Sequence, residues 1–363
     1  MGGLETYVRH LVPALLELRP GWRFSVFVNA QGRELLTGQP WAASVELVTS
    51  PFLGRRYVRA LSELTYLGWL AKRRRVDILH SLAMTAPLWT QIPNVVTIAD
   101  VIWLHHSDRD EQMTFRLWRA IVPVVARRAD RIIAISDAAK VEVAQGLGLP
   151  RSRIDVTPLG CTGERTVEPT PESELRTRLA LGSGPLVLAV SATRVHKNVG
   201  RLIAAMRSVV DGIPDARLVI PGNPTEYRRE LIEEARRFGV AEAIRFPGWV
   251  SNADLEGLYA VASCFAFPSL REGFGLPVLE AMARGTPVVC SNRSALPEIA
   301  GSAALLVDPE STEEIAGAVL SVLENRQLAE RLAVSGRERA AQFTWEACAA
   351  ATIESYERAV AAK

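Results

Sequence analysis

The segment "CFAFPSLREGFGLPVLEAMARGTPVVCSN", residues Cys264–Asn292, decides the fold class. Short apolar runs at its two ends, Cys264–Ser269 and Pro287–Asn292, predict buried parallel strands. The stretch between them predicts a helix that begins near Phe274 and ends near Gly285. A strand, a crossover helix and a second strand form a βαβ unit, the building block of parallel sheets covered by helices. The segment therefore indicates an α/β protein.

The same alternation continues along the whole chain of 363 residues, a length that predicts two domains. Helices are predicted between the strands, including Leu4–Leu18 and Glu111–Ala129. Six strands are predicted in each half, namely Phe24–Asn29, Ser44–Ser50, Asp77–His80, Asn94–Asp100, Arg131–Ser136 and Ile154–Gly160, then Leu186–Ala192, Ala216–Gly222, Ile244–Val250, Cys264–Ser269, Pro287–Asn292 and Ala304–Pro309.

A segment rich in Gly, Pro, Thr and Glu, residues 160–174, separates the two halves and is predicted to be a linker. We therefore predict two doubly wound, Rossmann-like domains, residues 1–165 and 175–345. Parallel sheets of this type bind ligands at the carboxyl ends of their strands. Two such domains that face one another would place both sets of strand ends at a central cleft.

The start of the chain, "MGGLETYVRHLVPALLEL", predicts a glycine turn that opens a helix. The strand that would lead into this turn is missing from the first predicted domain. Loss of a central parallel strand would leave two rows of unpaired amides and carbonyls inside a buried sheet. We therefore expect a chain that begins further upstream, in preference to genuine loss of the strand.

The composition excludes several protein classes. Hydrophobic residues make up 48% and charged residues 23% of the chain, which is typical of globular proteins and not of disordered ones. No signal peptide and no uninterrupted apolar stretch of about 18 residues is present in the sequence. The four cysteines show no paired spacing, which favours a reducing cytoplasm over disulfides or zinc. They are Cys161, Cys264, Cys290 and Cys348.

The charges are unevenly distributed. Residues 1–165 contain 21 basic and 15 acidic residues, whereas the remainder contains 21 basic and 25 acidic residues. A basic first half would suit anionic partners such as phospholipid headgroups or a pyrophosphate-linked acceptor. The alternative is that these charges lie on ordinary solvated helix faces.

Two glutamates flank the Gly-Phe-Gly turn. Glu272 follows the strand and Glu280 lies inside the predicted helix, about 9 to 12 Å from the first turn at a rise of about 1.5 Å per residue. One loop and helix are better suited to binding successive parts of an extended ligand than to an acid/base pair around one bond. Helix N-termini bind oxygen-rich or anionic groups through free amides, here those of Gly273, Phe274, Gly275 and Leu276. The alternative is a capped turn with two solvated glutamates.

Two cations, Arg194 and Lys197, lie in the turn between another predicted strand and a helix. Together with the helix N-terminus they would suit a pyrophosphate, although an exposed basic turn is an equal alternative. The P-loop motif is missing, and neither half has the dinucleotide fingerprint after a strand. A nicotinamide enzyme is therefore disfavoured.

The histidines give a weaker signal. His105 and His106 follow the strand that ends at Asp100, where they would serve as acceptor contacts or a proton relay, unless they are surface loop residues. No pair of histidines has the spacing of a metal site with a third ligand. No metal is therefore expected.

Together these residues resemble the retaining glycosyltransferases of the GT-B architecture, family 4, and particularly bacterial members that transfer mannose or similar hexoses. The resemblance covers nearly the whole chain. It is strongest in residues 246–309, "FPGWV" to "LLVDP", and is clear in "RVHKN" (residues 194–198) and "ADRIIAISDAAK" (residues 129–140). The closing "FTWEACAAATIESYERAV" resembles the family's terminal helix, so residues 346–363 are expected to cross back and complete the first domain.

The resemblance implies that the second domain binds a nucleotide sugar and the first binds the acceptor. It assigns donor-sugar hydroxyls to Glu272 and the amides of Phe274, Gly275 and Leu276, ribose to Glu280, the leaving pyrophosphate to Arg194 and Lys197, the base to Val250, and phosphates to Gly2 and Gly3. Acceptor candidates are Asp100, His105 and His106. It further implies a same-face displacement with retention, in which the donor phosphate helps to deprotonate the acceptor, without a metal or cofactor.

One position departs from the family pattern. The family usually has His-Asp where this chain has Ala99 and Asp100. The departure implies one of three alternatives. Either the donor is a different sugar, such as a 6-deoxy sugar, or a nearby histidine takes the place of the missing one. The third alternative is weak or absent activity.

The leading hypothesis is a cytoplasmic hexosyltransferase, with peripheral association at the inner membrane face. Its donor would be GDP-mannose, or alternatively a dTDP- or UDP-sugar such as dTDP-rhamnose. Its acceptor would be a glycan, a glycolipid or a natural product, and no nucleic acid is expected. The alternatives are a nucleotide-sugar-binding pseudoenzyme and another GT-B enzyme such as a sugar epimerase. A phosphorylase is disfavoured because no lysine site for pyridoxal phosphate is recognisable.

Overall fold

The computed structural model describes residues 3–49, 61–105, 112–161 and 167–363. The chain forms two compact units. The first contains the described residues up to His105, residues Met113–Gly160 and the carboxyl-terminal Phe343–Lys363, and the second contains those from Cys161 to Gln342. The terminal segment therefore returns to the first unit, as the resemblance implied. None of the helices in the described ranges has the length and apolarity needed to cross a membrane.

The first unit is a parallel α/β unit. Its described elements are α1 (Gly3–Leu18), β1 (Ser25–Val28), α2 (Ala30–Thr37), β2 (Glu46–Thr49), α3 (Tyr66–Arg73), β3 (Leu79–Ser81), β4 (Asn94–Thr97), α4 (Ile102–His105), α5 (Gln112–Arg128), β5 (Arg131–Ala134), α6 (Asp137–Leu147), β6 (Ile154–Val156) and a terminal helix (Trp345–Ala361). All six predicted strands of this half are present. They are shorter than predicted. β4, β5 and β6 end two to four residues earlier, whereas β3 begins at Leu79 in place of Asp77 and ends at Ser81 in place of His80.

The strands of the first unit form two separate parallel sheets. β1 pairs with β2, and the other four strands follow the order β3-β4-β5-β6. In the larger sheet Val96 is opposite Ile132, and both are fully buried. Such strands are covered on both faces, which explains why they appear in the sequence as continuous apolar runs.

The terminal helix is bound to the first unit by a buried carboxylate. Asp155 of β6 accepts hydrogen bonds from Arg131 (2.9 Å to Nε), from Ser355 (2.8 Å) and from Arg358 (2.6 Å). The last two donors lie on the terminal helix. Burial opposes ionisation of this carboxyl, but the hydrogen bonds from Arg131 and the helix outweigh it and lower the pKa of Asp155.

The second unit is also a parallel α/β unit, and all six of its predicted strands are present. Its elements are α7 (Glu172–Arg178), β7 (Leu186–Leu188), α8 (Val199–Gly212), β8 (Arg217–Pro221), α9 (Tyr227–Arg237), β9 (Ile244–Gly248), α10 (Asn252–Val261), β10 (Cys264–Phe267), α11 (Leu276–Ala283), β11 (Val288–Ser291), α12 (Leu296–Ala300), β12 (Leu305–Val307), α13 (Thr312–Glu324) and α14 (Arg326–Ala340). The last residues of the predicted linker, Glu172–Glu174, form the first turn of α7.

The sheet of the second unit has the order β12-β11-β10-β7-β8-β9, with every pair parallel. From β7 the chain proceeds to β8 and β9 on one side, and β10, β11 and β12 follow on the other side. The order therefore reverses between β7 and β10. In doubly wound sheets this reversal separates the loops that follow the two central strands and opens a crevice at their carboxyl ends.

We predict that Asp155→Asn destabilises the protein by about 3 kcal/mol, because it removes the charge that pairs with two arginines at a buried position. The pKa of Asp155 is lower in the folded protein than its ordinary value of 3.8, so the ionised carboxyl stabilises the fold above that pH. This stabilisation is lost as the pH falls through the folded pKa. The variant lacks the carboxyl, so its stability should depend less on acid pH. Urea unfolding at pH 7 and pH 3.5 measures both effects.

The matched control is Glu354→Gln, which removes the exposed partner of Arg358 and should change the stability by less than about 0.5 kcal/mol. Equal effects of the two substitutions would contradict the role assigned to Asp155.

Candidate active site

The candidate active site lies at the carboxyl ends of β7 and β10, where the strand order of the second sheet reverses. The two strands are paired through Cys264 with Val187 and Phe265 with Leu188. Their pairing brings together the basic loop after β7 and the Gly-Phe-Gly loop after β10, whose key residues are 75 positions apart. This is the location at which doubly wound sheets bind ligands.

An ion pair occupies this position. The Nζ of Lys197 donates to Oε1 of Glu272 at 2.7 Å, and the two side chains are 18% and 10% exposed. The same ammonium lies 5.2 Å from the ring centroid of Phe267, which adds a cation–π contact. The sequence predicted both residues as site residues without indicating this contact. Because the two charges lie at a mostly buried position of low dielectric constant, they interact strongly with a polar group that binds beside them.

Asn198 fixes the basic loop. Val195–Lys197 form a short 3₁₀ helix after the partly buried Arg194, and Asn198 then adopts a left-handed conformation with φ 58°. Its buried Nδ2 donates to the carbonyl of Pro268 (2.9 Å) and to that of Pro309 (2.6 Å). The loop is thereby tied to the segments after β10 and β12. Sequence reasoning missed this residue, although Asn is among the few residues that adopt such a φ readily.

Ser294 fixes the backbone of Glu272. Its Oγ donates to the carbonyl of Glu272 at 2.8 Å and accepts from the amide of Glu272 at 3.3 Å. Ser294 itself has a φ of 58°, in a turn directly after β11. Sequence reasoning missed Ser294 too, and the only signal available was its position in a polar turn after a predicted strand. These bonds hold the carboxylate of Glu272 at the edge of the crevice.

The Gly-Phe-Gly turn positions a helix N-terminus beside the ion pair. α11 begins at Leu276, two residues later than predicted, because Gly275 has a φ of 117° that interrupts helical geometry. A Cβ at Gly275 would lie 2.7 Å from Cδ2 of Leu296, so the position requires glycine. Phe274 is buried in the core and anchors the turn. In the first turn of α11, Pro277 has no N–H and the amide of Val278 donates to the carbonyl of Gly275 (2.9 Å), so the amide of Leu276 is the one in this turn that suits an oxygen-rich ligand.

Glu280 lies inside α11, as predicted, and is held by a neighbouring tyrosine. The hydroxyl of Tyr259 donates to Oε2 of Glu280 at 3.0 Å. Burial raises the pKa of Glu280, and the charge of Arg284 and the tyrosine hydrogen bond offset only part of this effect. Arg284 is itself paired with the buried Glu256. Glu280 is therefore an oriented hydrogen-bond acceptor, and it has no contact with Glu272 that would make the two an acid/base pair.

The other predicted site residues occupy loops and helix ends. In the second unit, Val250 is partly exposed after β9. In the first unit Gly3 begins α1, Ala99 follows β4, and His105 is exposed at the end of α4. Asp100 caps α4, since its Oδ1 accepts from the amide of Ile102 at 3.0 Å. Gly2 and His106 lie outside the described residues.

Two family models match the chain. The model described as Glycosyltransferase Family 4 matches residues 1–165, and the model described as Glycosyl transferases group 1 matches residues 172–339. The second match contains the ion pair, the Gly-Phe-Gly turn and Glu280.

Relatives that match over longer stretches agree with the family models. Glycogen synthase of Mycobacterium tuberculosis is 30% identical over 315 residues, which cover 84% of this chain and 74% of that protein. The chain belongs to family 4 of the glycosyltransferases. O-antigen chain mannosyltransferase B of Escherichia coli is 33% identical to this family 4 protein over 237 residues, covering 63% of this chain and 61% of the relative. This chain spans 59% to 63% of the length of the mannosyltransferase relatives it matches.

A solved structure establishes the fold. The Anabaena protein HepE in complex with UDP-glucose has a TM-score of 0.76 to this family 4 protein at 20% identity, covering 98% of this chain and 96% of that one. The predicted GT-B fold is thereby confirmed.

We predict that Lys197 and Glu272 are energetically coupled. Lys197→Met alone leaves a nearly buried carboxylate unpaired, and Glu272→Gln alone leaves an unpaired ammonium, whereas the double variant leaves neither. A double-mutant cycle measured by urea unfolding should give a coupling energy of about 1 to 3 kcal/mol.

The control cycle is the exposed pair Arg207–Asp211 within α8, for which little coupling is expected. Additive effects of the two substitutions at the site would show that the ion pair does not hold in solution.

Proposed function

We propose that this protein is a retaining glycosyltransferase that transfers a hexose from a nucleoside-diphosphate sugar to a carbohydrate-containing acceptor. The observation that carries the proposal is the Lys197–Glu272 ion pair beside the N-terminus of α11, at the reversal point of the second sheet. A diphosphate needs positive charge and amide donors, and a sugar needs oriented acceptors. This position combines them within one crevice.

The proposed donor is GDP-mannose, because the relatives named above include a mannosyltransferase and a further one is named as GDP-mannose-dependent. A dTDP- or UDP-sugar is the alternative donor. Ala99 presents only a methyl group where the family usually has histidine. A deoxyhexose such as rhamnose, which has no hydroxyl on its sixth carbon, would tolerate that loss.

In the proposed mechanism, Arg194 and Lys197 bind the leaving diphosphate, and the amides of the Gly-Phe-Gly turn donate to hydroxyls of the donor sugar. The bond between the anomeric carbon and the phosphate oxygen breaks, and negative charge develops on the departing diphosphate. Lys197 uses one of its three N–H groups on Glu272 and has others with which to stabilise that charge. Because these cations are held in place before the reaction, they need no reorganisation as the charge develops.

The acceptor hydroxyl attacks the anomeric carbon on the same face, and its proton passes to the leaving phosphate oxygen. Anomeric configuration is thereby retained. Glu272 accepts hydrogen bonds from donor-sugar hydroxyls, Glu280 accepts those of the ribose, and Val250 contacts the base. Gly2 and Gly3 are proposed to approach the phosphates, and Asp100, His105 and His106 to contact the acceptor. We propose that the reaction needs no metal, because the cations and the helix terminus supply the positive charge.

We predict that the protein binds one of GDP-mannose, dTDP-rhamnose, UDP-glucose and UDP-GlcNAc in calorimetry and transfers its sugar to an added acceptor. Glu280→Ala should weaken binding of the bare nucleoside diphosphate about tenfold, as expected for the loss of hydrogen bonds to a charged group. Lys197→Ala should lower kcat by about 10² to 10³, because it acts on charge that develops in the transition state.

The control is Glu313→Ala on the exposed face of α13, which should leave binding and turnover unchanged. If none of the four donors is bound or turned over, the transferase proposal fails. Unchanged affinity of Glu280→Ala for the nucleoside diphosphate would refute the ribose assignment alone.

We further propose that the first unit associates peripherally with anionic membranes through a basic, aromatic groove. Trp69 and Trp89 are 51% and 65% exposed. The guanidinium of Arg73 lies 5.4 Å from the ring centroid of Trp69, and that of Arg128 lies 5.6 Å from the ring centroid of Trp89. The groove, about 650 Å³ in volume, also includes Lys72. Tryptophans are enriched at membrane interfaces, and basic residues are attracted to anionic lipid at about 1 kcal/mol each.

We predict that the protein sediments with vesicles that contain phosphatidylglycerol and not with vesicles of phosphatidylcholine alone. The double variant Trp69→Ala/Trp89→Ala should weaken this binding at least tenfold, whereas Trp249→Ala, which removes an equally exposed tryptophan from the second unit, should not. Equal binding to both kinds of vesicle, or insensitivity to the groove substitutions, would contradict the proposal.

A further inference from the structure

Glu280 of the second unit is held at both its side chain and its backbone. The hydroxyl of Tyr259 donates to Oε2 of Glu280 at 3.0 Å. Nη1 of Arg284 donates to the backbone carbonyl of the same Glu280 at 3.0 Å, which caps the last turn of α11. Neither Tyr259 nor Arg284 has a role in the proposed mechanism.

The two residues that hold Glu280 are also in contact with each other. The guanidinium of Arg284 lies 5.0 Å from the ring centroid of Tyr259, within the range of a cation–π contact. Tyr259 is buried, and its carbonyl accepts from Oγ1 of Thr286 at 2.9 Å. A displacement of Arg284 would therefore disturb Glu280 twice, directly at its carbonyl and through the ring of Tyr259 at its carboxylate.

Arg284 is in turn fixed by Glu256. Nε of Arg284 donates to Oε2 of Glu256 at 2.7 Å and Nη2 donates to Oε1, so the pair is bidentate and fixes the plane of the guanidinium. Glu256 and Tyr259 lie three residues apart on α10 and therefore share one face of that helix. The four residues Glu256, Tyr259, Glu280 and Arg284 thus form one connected set, the Glu280 cluster.

Stability alone does not explain the ion pair of this cluster. The side chains of Arg284 and Glu256 are only 12% and 7% exposed. The cost of removing two charges from water can exceed their attraction, so apolar side chains of similar volume are often at least as stabilising. Apolar side chains at these positions would not bind the carbonyl of Glu280. The geometry of the pair therefore indicates that it orients Glu280.

The cluster also keeps Glu280 a good hydrogen-bond acceptor. Burial raises the pKa of Glu280, whereas the charge of Arg284 and the hydrogen bond from Tyr259 lower it. Burial and the charge of Glu280 raise the pKa of Tyr259 well above its ordinary value, so its hydroxyl stays protonated and donates. An ionised carboxylate offers about four lone pairs, and the bond from Tyr259 uses one of them. The others can accept hydroxyls of a ligand.

We propose that Tyr259 and Arg284 are positioning residues that orient Glu280 toward the ribose hydroxyls of the nucleotide, and that Glu256 holds Arg284 in place. This inference rests on the proposed function, because it takes Glu280 as the residue that binds ribose. It assigns to the Glu280 cluster a preference for nucleotides that carry ribose hydroxyls over nucleotides that lack them.

The test compares a nucleoside diphosphate with its 2′,3′-dideoxy analogue in calorimetry, using whichever of GDP and UDP binds more tightly. The unsubstituted protein should bind the analogue about tenfold more weakly. In Tyr259→Phe this preference should fall to about twofold, because the ring remains but the carboxylate loses the hydroxyl that orients it. Ribose is bound equally in the ground state and the transition state, so KM for the donor should rise about fivefold with kcat unchanged.

Tyr227→Phe is the matched control, because it removes a tyrosine hydroxyl from α9, outside the Glu280 cluster, and should leave the preference at about tenfold. The double variant Glu256→Gln/Arg284→Met removes both charges of the buried pair together, so no buried charge is left unpaired. It should also lower the preference, and it decides the question if Tyr259→Phe does not fold.

Three outcomes would overturn the inference and leave the transferase proposal standing. The first is a tenfold preference that survives in either variant, and the second is equal weakening of both ligands, which is what a merely structural role predicts. The third is binding of dTDP, which lacks the 2′-hydroxyl, by a protein that binds neither GDP nor UDP. Failure to bind any of the three nucleotides would overturn the transferase proposal, and this inference with it.

Discussion

The pairing of β7 with β10 is the constraint on which the candidate site depends. Val187 and Cys264 are neighbours across this pair although 77 positions separate them in the chain. The chain leaves β7 toward one end of the sheet and leaves β10 toward the other, so the loops that follow them diverge and open a crevice. A cation from one loop and a carboxylate from the other meet there. If the two strands were not adjacent, Lys197 and Glu272 would be two unrelated charged residues.

The loops around that pair are fixed by backbone-directed hydrogen bonds. Asn198 binds carbonyls that follow β10 and β12, and Ser294 binds both backbone polar groups of Glu272. Such bonds limit the movement of the charged groups before a ligand arrives. A site that must stabilise charge as it develops gains from this rigidity, because fixed dipoles and cations need little rearrangement during the reaction.

The two units illustrate opposite consequences of the same architecture. In the second unit one sheet of six strands is continuous, and its functional groups lie at the ends of paired central strands. Among the described residues of the first unit, the strands instead form two separate sheets, β1-β2 and β3-β4-β5-β6.

The sequence by itself determined the fold class and the presence of all twelve strands, because buried parallel strands leave continuous apolar runs in the chain. Arg194, Lys197, Glu272 and Glu280 are predicted as site residues because they follow such runs, and the structure brings Lys197 and Glu272 into contact. The start of α11 was predicted two residues too early, since a left-handed φ at Gly275 is not visible in an apolar pattern. The contacts of Asn198, Ser294 and Tyr259, and the pairing of Lys197 with Glu272, were decided only by the tertiary structure. Each joins residues that are at least 21 positions apart, and local patterns cannot specify which distant loops a sheet brings together.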